Sequence, residues 1–254
     1  MNKRNKLSYI DSGEGKKTLL FIHGFCGSHG YWQDIISGLK DKYRVIAIDL
    51  PGHGASEPLG TSFTIEDMAV NIAAFLDEQQ INQVYMFGHS LGGYITLSFA
   101  EQFAEKLSGF SLIHSTALPD DEAGKEGRLK SVEKIEIDGI PAFIDGLVPK
   151  LFAKSDDPNI ENAKEIGYKT SESGAIGCLH AMRKRRDRNH VLKDTKLPVL
   201  LVAGEQDKVI PAKKTFTVKG DHIKEVILKG SGHMGMLEAP GKLAEEIIRF
   251  VEGK

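Results

Sequence analysis

The sequence of 254 residues has little of several features that define specialised protein classes. Its two cysteines, Cys26 and Cys178, are too few for a disulfide framework, and we expect both to be free thiols. Its formal net charge of −2 predicts no nucleic-acid partner and no acidic-membrane partner. The longest apolar runs, such as Val199–Ala203, have the length of a strand, which predicts no transmembrane helix.

Further absences bear on location and cofactors. Met1–Ser8 has basic residues but no apolar stretch behind them, so we predict no secretory signal and a cytoplasmic location. The chain lacks H-E-x-x-H, paired-cysteine and EF-hand spacings, and it has no P-loop and no G-x-G-x-x-G after a strand. We therefore predict chemistry that needs no metal and no cofactor. The sequence carries no signal for an oligomeric state.

The chain does contain an alternation of short apolar runs and longer helical patterns. Unbroken apolar strands separated by helices predict an α/β fold with a mostly parallel, doubly wound sheet. The predicted strands are Lys17–His23, Tyr43–Leu50, Val84–Phe87, Gly109–His114, Pro198–Ala203 and Glu225–Leu228. The predicted helices of this core are Glu66–Gln79, Leu91–Phe103 and Lys242–Val251.

The middle of the chain differs from its two ends. No convincing strand run occurs there, but Ile140–Phe152 and Gly174–Leu192 are amphipathic. We therefore predict a core formed by residues 1–118 and 192–254, with a helical cap inserted at 119–191. The basic run Arg183–Arg188 is interpreted as the solvated face of a cap helix, with Asp187 paired to one arginine, rather than as an anion-binding or nucleic-acid patch.

The strongest chemical signal is the G-x-S-x-G segment Gly88–Gly92, which follows a predicted strand and precedes a predicted helix. A serine on such a sharp turn has strained backbone angles, and side chains two residues to either side of it would collide. Ser90 is therefore the predicted nucleophile, exposed at the carboxyl end of its strand.

A serine hydroxyl needs a general base, and the base needs a carboxylate that orients it. Asp207 follows the strand Pro198–Ala203 and is the predicted acid, with Glu205 as the weaker alternative. His233 is the predicted base, because it alone of the nine histidines follows the last strand, in a glycine-rich loop. Structural roles are predicted for His23, which would hold a loop by hydrogen bonds, and for His53, which would lie in a turn.

The remaining parts of the site are the oxyanion donors and the pocket. The backbone N–H groups of Leu91, after the nucleophile, and of Phe25, in the glycine-containing loop after an early strand, are the predicted donors. The predicted pocket residues are Gly24, His89, Phe143 and Phe152, with Leu147 and Leu151 closing the cap alongside the two phenylalanines.

Taken together, several of these segments resemble the α/β-hydrolase superfamily. They are His23-Gly24-Phe25, Asp49–Ser56, Gly88–Gly93, Asp207 and Gly232-His233. The resemblance covers nearly the whole chain except the middle segment, which is similar to the lid or cap of that family. It implies a Ser–His–Asp hydrolase, most often an esterase for small carboxylic esters. Ser90 stands where haloalkane dehalogenases and epoxide hydrolases have an aspartate, which argues against those reactions.

The expected function is therefore hydrolysis of a small ester-like substrate through an acyl-enzyme. The same residues would also serve lactone, thioester or carbon–carbon bond hydrolysis, acyl transfer or a lyase reaction, and fold analogy does not choose between them. A non-catalytic ligand receptor on this fold is a further alternative. Arg186 and Asp187 resemble an Arg-Asp pair of many relatives, which implies a structural ion pair.

Overall fold

The computed structural model describes residues 6–253; residues 1–5, part of the segment predicted to lack a secretory signal, lie outside it. Within 6–253, seven strands form one sheet in the order β1-β3-β2-β4-β5-β6-β7. Only β1 and β3 pair antiparallel among these neighbours; every other pair is parallel. The strands are β1 (Tyr9–Ser12), β2 (Thr18–Ile22), β3 (Arg44–Ile48), β4 (Val84–His89), β5 (Leu107–Ile113), β6 (Val199–Gly204) and β7 (Ile223–Leu228).

Helices cover both faces of the sheet, which is why its central strands are largely apolar and buried. The helices α1, α9 and α10 pack together in one layer, and α2, α3 and α7 pack together in the other. The helices are α1 (Gln33–Leu39), α2 (Ile65–Glu78), α3 (Leu91–Gln102), α4 (Glu122–Leu147), α5 (Ile160–Gly167), α6 (Glu172–Lys184), α7 (Asn189–Asp194), α8 (Ala212–Thr215), α9 (Gly235–Glu238) and α10 (Pro240–Val251). Short 3₁₀ turns occupy His29–Trp32, Ala104–Lys106 and Val148–Leu151.

The order of the strands brings distant parts of the chain together at one edge of the sheet. The neighbours β4, β5, β6 and β7 are parallel, so their carboxyl ends lie side by side. Ser90 follows β4 and His114 follows β5. Asp207 comes three residues after β6, and His233 comes five residues after β7. This edge therefore collects the candidate catalytic side chains.

Between β5 and β6 the chain forms the cap. Its longest helix, α4, is interrupted at Gly139, which has a φ of 77° and is followed two residues later by Pro141. The predicted amphipathic segment Ile140–Phe152 is the second half of this kinked helix together with the 3₁₀ turn after it. Helix α6 packs against α4. The boundaries 119–191 predicted for the cap stay a prediction.

The interpretation of the basic run as a solvated face is wrong. Arg188 is buried, and its guanidinium binds Glu66 at 2.5 Å and Glu101 at 3.0 Å. Arg186 reaches the same two carboxylates, while Asp187 accepts hydrogen bonds from Asn189 instead of pairing with an arginine. These contacts tie the end of the cap to the core helices. Across residues 6–253, the helices are all too short or too polar to cross a membrane.

Candidate active site

The turn at Ser90 joins β4 to α3. Ser90 has a φ of 49° and a ψ of −111°, a strained conformation for a residue with a side chain. A Cβ at Gly88 would overlap the Gly92 carbonyl, and a Cβ at Gly92 would overlap the carbonyl oxygen of Ile22 and come within 2.8 Å of that of His23. The glycines therefore permit a backbone approach that a side chain would block, as the sequence motif predicts.

Asp207 is held in the loop after β6 by hydrogen bonds to both of its carboxylate oxygens. Its Oδ1 accepts the backbone N–H groups of Val209 at 2.8 Å and Ile210 at 2.9 Å. Its Oδ2 accepts Nδ1–H of His233 at 2.8 Å. Burial alone would raise the pKa of Asp207, but hydrogen bonds from His114 and His233 hold that pKa well below its usual value. The carboxylate is thus ionised and oriented.

The His233 imidazole is buried against Asp207 and reaches the cavity that Ser90 also lines. Because Nδ1 donates to Asp207, Nε2 of the neutral ring is left as the proton acceptor. The His233 backbone N–H binds the Leu151 carbonyl at 2.7 Å, and its carbonyl accepts Nε2–H of His89 at 2.9 Å. The predicted base is therefore fixed by side-chain and main-chain contacts.

Glu238 holds the loop that carries His233, a role that the sequence analysis did not predict. Its Oε2 accepts the backbone N–H groups of Gly232 at 2.9 Å and Met234 at 3.1 Å, on either side of the base. The same oxygen accepts the Ser231 hydroxyl, and Oε1 accepts the N–H of Ala153 from the cap. One carboxylate thus connects the base loop to the cap.

The weaker alternatives fall in other places. Glu205, the alternative acid, binds the backbone N–H of Gly230 at 2.9 Å in an exposed position, whereas Asp207 contacts the base. His23 Nε2 accepts the N–H of Leu50, and its Nδ1 lies 2.7 Å from the Gly24 carbonyl, which is the loop-holding role predicted for it. His53 Nδ1 binds the Pro51 carbonyl within its own turn.

The predicted oxyanion donors lie beside the nucleophile. Leu91 is the first residue of α3, so its N–H has no acceptor within the helix and lies at the positive end of the helix dipole. Phe25 lines the cavity from the turn that the Gly27 N–H to Gly24 carbonyl bond closes. A Cβ on Gly24 would come within 2.6 Å of Nδ1 of the buried His89 ring and 3.2 Å of the Ser90 Cβ, so a side chain there would have to displace His89.

A cavity of about 600 Å³ lies over Ser90. Its apolar wall comes from the core and the cap, and its polar wall lies where α4 begins. The apolar residues are Phe25, Leu118, Pro119, Leu147, Leu151, Met182, Val209, Ile210 and Met234. The charged residues are Asp120, Asp121, Arg128, Arg185, Asp187 and Lys214.

The pocket prediction needs one correction. His89 lines the cavity, but within the described part of the chain the wall does not include Gly24, Phe143 or Phe152. Phe143 packs edge-on against Phe25 at 6.0 Å between ring centroids, behind the wall. Both phenylalanines are buried, so the amphipathic spacing that suggested a pocket reflects packing of the cap onto the core.

His114, Asp207 and His233 place atoms able to bind a metal ion within 4.8 Å of one another. Two ligands of a tetrahedral zinc ion, each about 2.1 Å from it, would lie about 3.4 Å apart. The 2.8 Å separation of His233 Nδ1 and Asp207 Oδ2 is instead a hydrogen-bond distance. The cluster has the geometry of a hydrogen-bonded relay.

This fold and this site place the chain among known proteins. It belongs to the alpha/beta hydrolase fold family, whose model matches residues 17–240. The mostly parallel sheet of an α/β fold that the sequence predicts is therefore confirmed.

Three similar proteins show the range of the family. The dihydrolipoyllysine-residue acetyltransferase component of an acetoin cleaving system from Cupriavidus necator is 30% identical over 241 residues, which are 92% of this chain; the chain spans only 63% of that relative. The 3-oxoadipate enol-lactonase 1 of Acinetobacter baylyi is 24% identical over 252 residues, 96% of this chain and 91% of that protein. The solved structure of a thermophilic esterase from Thermogutta terrifontis superimposes with a TM-score of 0.93 at 25% identity, covering 98% of this chain and 94% of that one.

Proposed function

We propose that this protein is a serine hydrolase that cleaves small carboxylic esters. One observation carries the proposal: Ser90 and His233 line the same cavity, and Asp207 binds the His233 ring on its far side at 2.8 Å. A strained serine, an imidazole with a free acceptor nitrogen and an ionised carboxylate are the parts of a nucleophile, base and orienting acid.

The proposed reaction has two halves. Ser90 Oγ attacks the ester carbonyl while His233 Nε2 takes the hydroxyl proton, and the tetrahedral intermediate collapses when that proton passes to the leaving alkoxide. A water molecule then attacks the acyl-serine ester, and His233 takes a proton from the water and returns it to Ser90 Oγ. The products are an alcohol and a carboxylic acid. Asp207 stays ionised and stabilises the imidazolium in both halves.

The negative oxygen of each tetrahedral intermediate needs donors that are already in place. The N–H groups of Phe25 and Leu91 are proposed for this role, and the α3 dipole adds to their effect because Leu91 opens the helix. Loss of one such donor typically reduces the rate about 100-fold to 1,000-fold.

The cavity supports a small substrate. A volume of about 600 Å³ with an apolar wall suits a short or medium acyl group next to Ser90. We expect turnover of p-nitrophenyl esters to decline as the acyl chain lengthens beyond what the wall formed by Leu147, Leu151 and Met182 accommodates.

The test of the proposal is covalent labelling by a fluorophosphonate probe. Ser90→Ala should abolish labelling and ester hydrolysis, whereas the control Ser37→Ala, on the exposed surface of α1, should retain both. Matching urea unfolding curves would show that both variants fold. Labelling that persists in Ser90→Ala would reject Ser90 as the nucleophile. Tight ligand retention by an unlabelled wild-type protein would favour a receptor.

Hydrolysis of a lactone that carries a carboxylate is the second candidate. It is favoured by the charged part of the cavity wall, where Arg128 and Lys214 stand next to Asp120 and Asp121, and by the likeness to an enol-lactonase. A charged ring substituent would lie against this wall while Ser90 attacks the cyclic ester. The two candidates are separated by a competition assay between an enol-lactone that carries a carboxylate and p-nitrophenyl acetate. The substrate with the higher kcat/KM identifies the favoured reaction.

A further inference from the structure

His114 is a buried titratable residue that the proposed mechanism does not yet use. It follows β5 and is fully buried, with its backbone N–H bonded to the Val202 carbonyl at 2.8 Å. Its φ of 48° lies in the left-handed region, where Asn, Asp and His are the commonest non-glycine residues. This bend directs the imidazole toward the loop after β6 instead of along the strand.

Two hydrogen bonds determine which nitrogen of His114 carries the proton. The backbone N–H of Gly235 points at Nε2 at 3.2 Å, so Nε2 must be the acceptor. A neutral imidazole has one N–H, which is therefore on Nδ1. Nδ1 lies 3.3 Å from Asp207 Oδ2, the same oxygen that His233 Nδ1 contacts at 2.8 Å. His114 thus donates to the carboxylate that holds the base.

We propose that His114 is a positioning residue: it donates a second hydrogen bond to Asp207 Oδ2 and so fixes the carboxylate that orients His233. With this bond the Asp207 carboxylate accepts four hydrogen bonds, two on each oxygen. A carboxylate has about four acceptor sites, so the group is saturated and has no freedom to rotate. The role rests on the proposed Ser90 mechanism.

Sharing Oδ2 between two imidazoles also affects the negative charge that His233 faces. A second donor spreads the negative charge of Asp207 and weakens its attraction for a protonated His233. The ionisable groups that face His114 are Asp207, His233, His89 with its ring centroid 6.0 Å away, and Glu238. Burial is the main reason that the pKa of His114 itself is lowered, and its Nε2, which accepts the Gly235 N–H, favours the neutral ring.

The kinetic test compares His114→Phe with His114→Asn. Phenylalanine removes the donor and fills the space, whereas asparagine tolerates a positive φ and can place an N–H near the position of Nδ1. We expect His114→Phe to lower kcat per fluorophosphonate-labelled site about 10-fold to 100-fold, with KM unchanged, and to move the acidic limb of the pH profile of kcat/KM to higher pH. His114→Asn should restore most of the rate and the wild-type limb.

A merely structural role predicts another result. His114→Phe would then lose stability or labelled fraction, but its kcat per labelled site and its acidic limb would match the wild type. That outcome in a folded His114→Phe protein would overturn the proposal, as would a His114→Asn variant no better than His114→Phe.

Nitrogen NMR of the wild-type protein gives a readout that needs neither turnover nor a folded variant. We expect His114 to show a protonated Nδ1 and an unprotonated Nε2 from about pH 5 to about pH 9. Protonation on Nε2, or a change in the charge of His114 within that range, would overturn the proposal. A wild-type protein that is neither labelled nor active would instead refute the proposed function, and the NMR result would still decide whether His114 donates to Asp207.

Discussion

Glu238 offers the sharpest test of how the catalytic base is held. Glu238→Ala removes the acceptor of the N–H groups of Gly232 and Met234, which flank His233 in the chain. It also removes the acceptor of the Ala153 N–H, the contact between this loop and the cap. The substitution leaves Ser90, Asp207 and the His233 ring chemically unchanged. Any loss of activity would therefore come from the placement of the loop.

The size of the effect follows from the contacts. A hydrogen bond to a charged group contributes about 1.5–3 kcal/mol net to stability. Removal of the acceptor destabilises the fold because the buried donor is left without a hydrogen bond. Gly232 and Met234 are buried, while Glu238 is partly exposed and water can replace some of its other bonds. Counting the two buried donors at the lower value, we expect the free energy of unfolding to fall by about 3 kcal/mol. A displacement of the base by about 1 Å would lower kcat about 100-fold.

The assay combines urea unfolding with p-nitrophenyl acetate turnover per fluorophosphonate-labelled site. Glu245→Ala is the matched control: the same residue type on α10, about half exposed, where it binds Lys242 and Arg249. Such surface ion pairs contribute about 0–1 kcal/mol, so the control should unfold near the wild type and keep its kcat. Glu238→Gln, which retains one oxygen acceptor, should lie between Glu238→Ala and the wild type.

The reasoning would be refuted by a Glu238→Ala protein that unfolds with the same free energy as Glu245→Ala and keeps wild-type kcat per labelled site. A loss of stability with unchanged kcat would refute only one part of the reasoning, namely that the hydrogen bonds of Glu238 position His233.

Three other predictions address the acid, the turn and a buried carboxylate. Asp207→Asn should lower kcat about 10,000-fold while unfolding stays cooperative, because an amide there favours the wrong His233 tautomer; near-wild-type kcat would reject Asp207 as the acid. Gly92→Ala should lower the free energy of unfolding in urea by about 1–3 kcal/mol, because its Cβ would meet backbone carbonyl groups. Gly127→Ala, with open space around it, is the control and should not destabilise the fold. Equal stability of the two variants would contradict the steric explanation. Burial opposes ionisation of Asp49, but hydrogen bonds led by that from His29 lower its pKa from 3.8 to about 2. The contribution of Asp49 to stability is therefore present above about pH 4 and is lost as the pH falls toward 2. Asp49→Asn should reduce the dependence of the free energy of unfolding on pH in this range, measured by urea unfolding at a series of pH values. An unchanged pH dependence in Asp49→Asn would argue against this assignment.

The central strands of the parallel core were readable from sequence because both of their faces are buried. Val199–Gly204, for example, is buried at every position, so its apolar run has no competing interpretation. The strand Tyr9–Ser12 was missed for the opposite reason: it is a short edge strand whose side chains are only partly buried. Helix Gln33–Leu39 was missed because it has only seven residues and offers little periodicity to detect.

The candidate active site could be predicted only in part, because a sequence motif indicates local backbone geometry but not which distant residues contact it. The glycines around Ser90 predicted the turn, since their constraint arises within a few residues of the serine. His114 meets Asp207 across 93 positions of sequence, a contact that no local motif encodes. A histidine directly after a buried strand, at the edge where the acid and base were already expected, was the signal that could have drawn attention to it.

The contacts of His233 have a consequence for how the cap acts. The core holds the His233 ring through Asp207, whereas the cap holds its backbone N–H through the Leu151 carbonyl and reaches its loop through Glu238. Leu151 also lines the cavity, so one residue of the cap contacts both the substrate space and the base. A substrate that shifts this part of the cap would therefore shift the base as well. Changes in the cap should consequently alter kcat together with KM, which distinguishes this arrangement from a lid that only admits substrate.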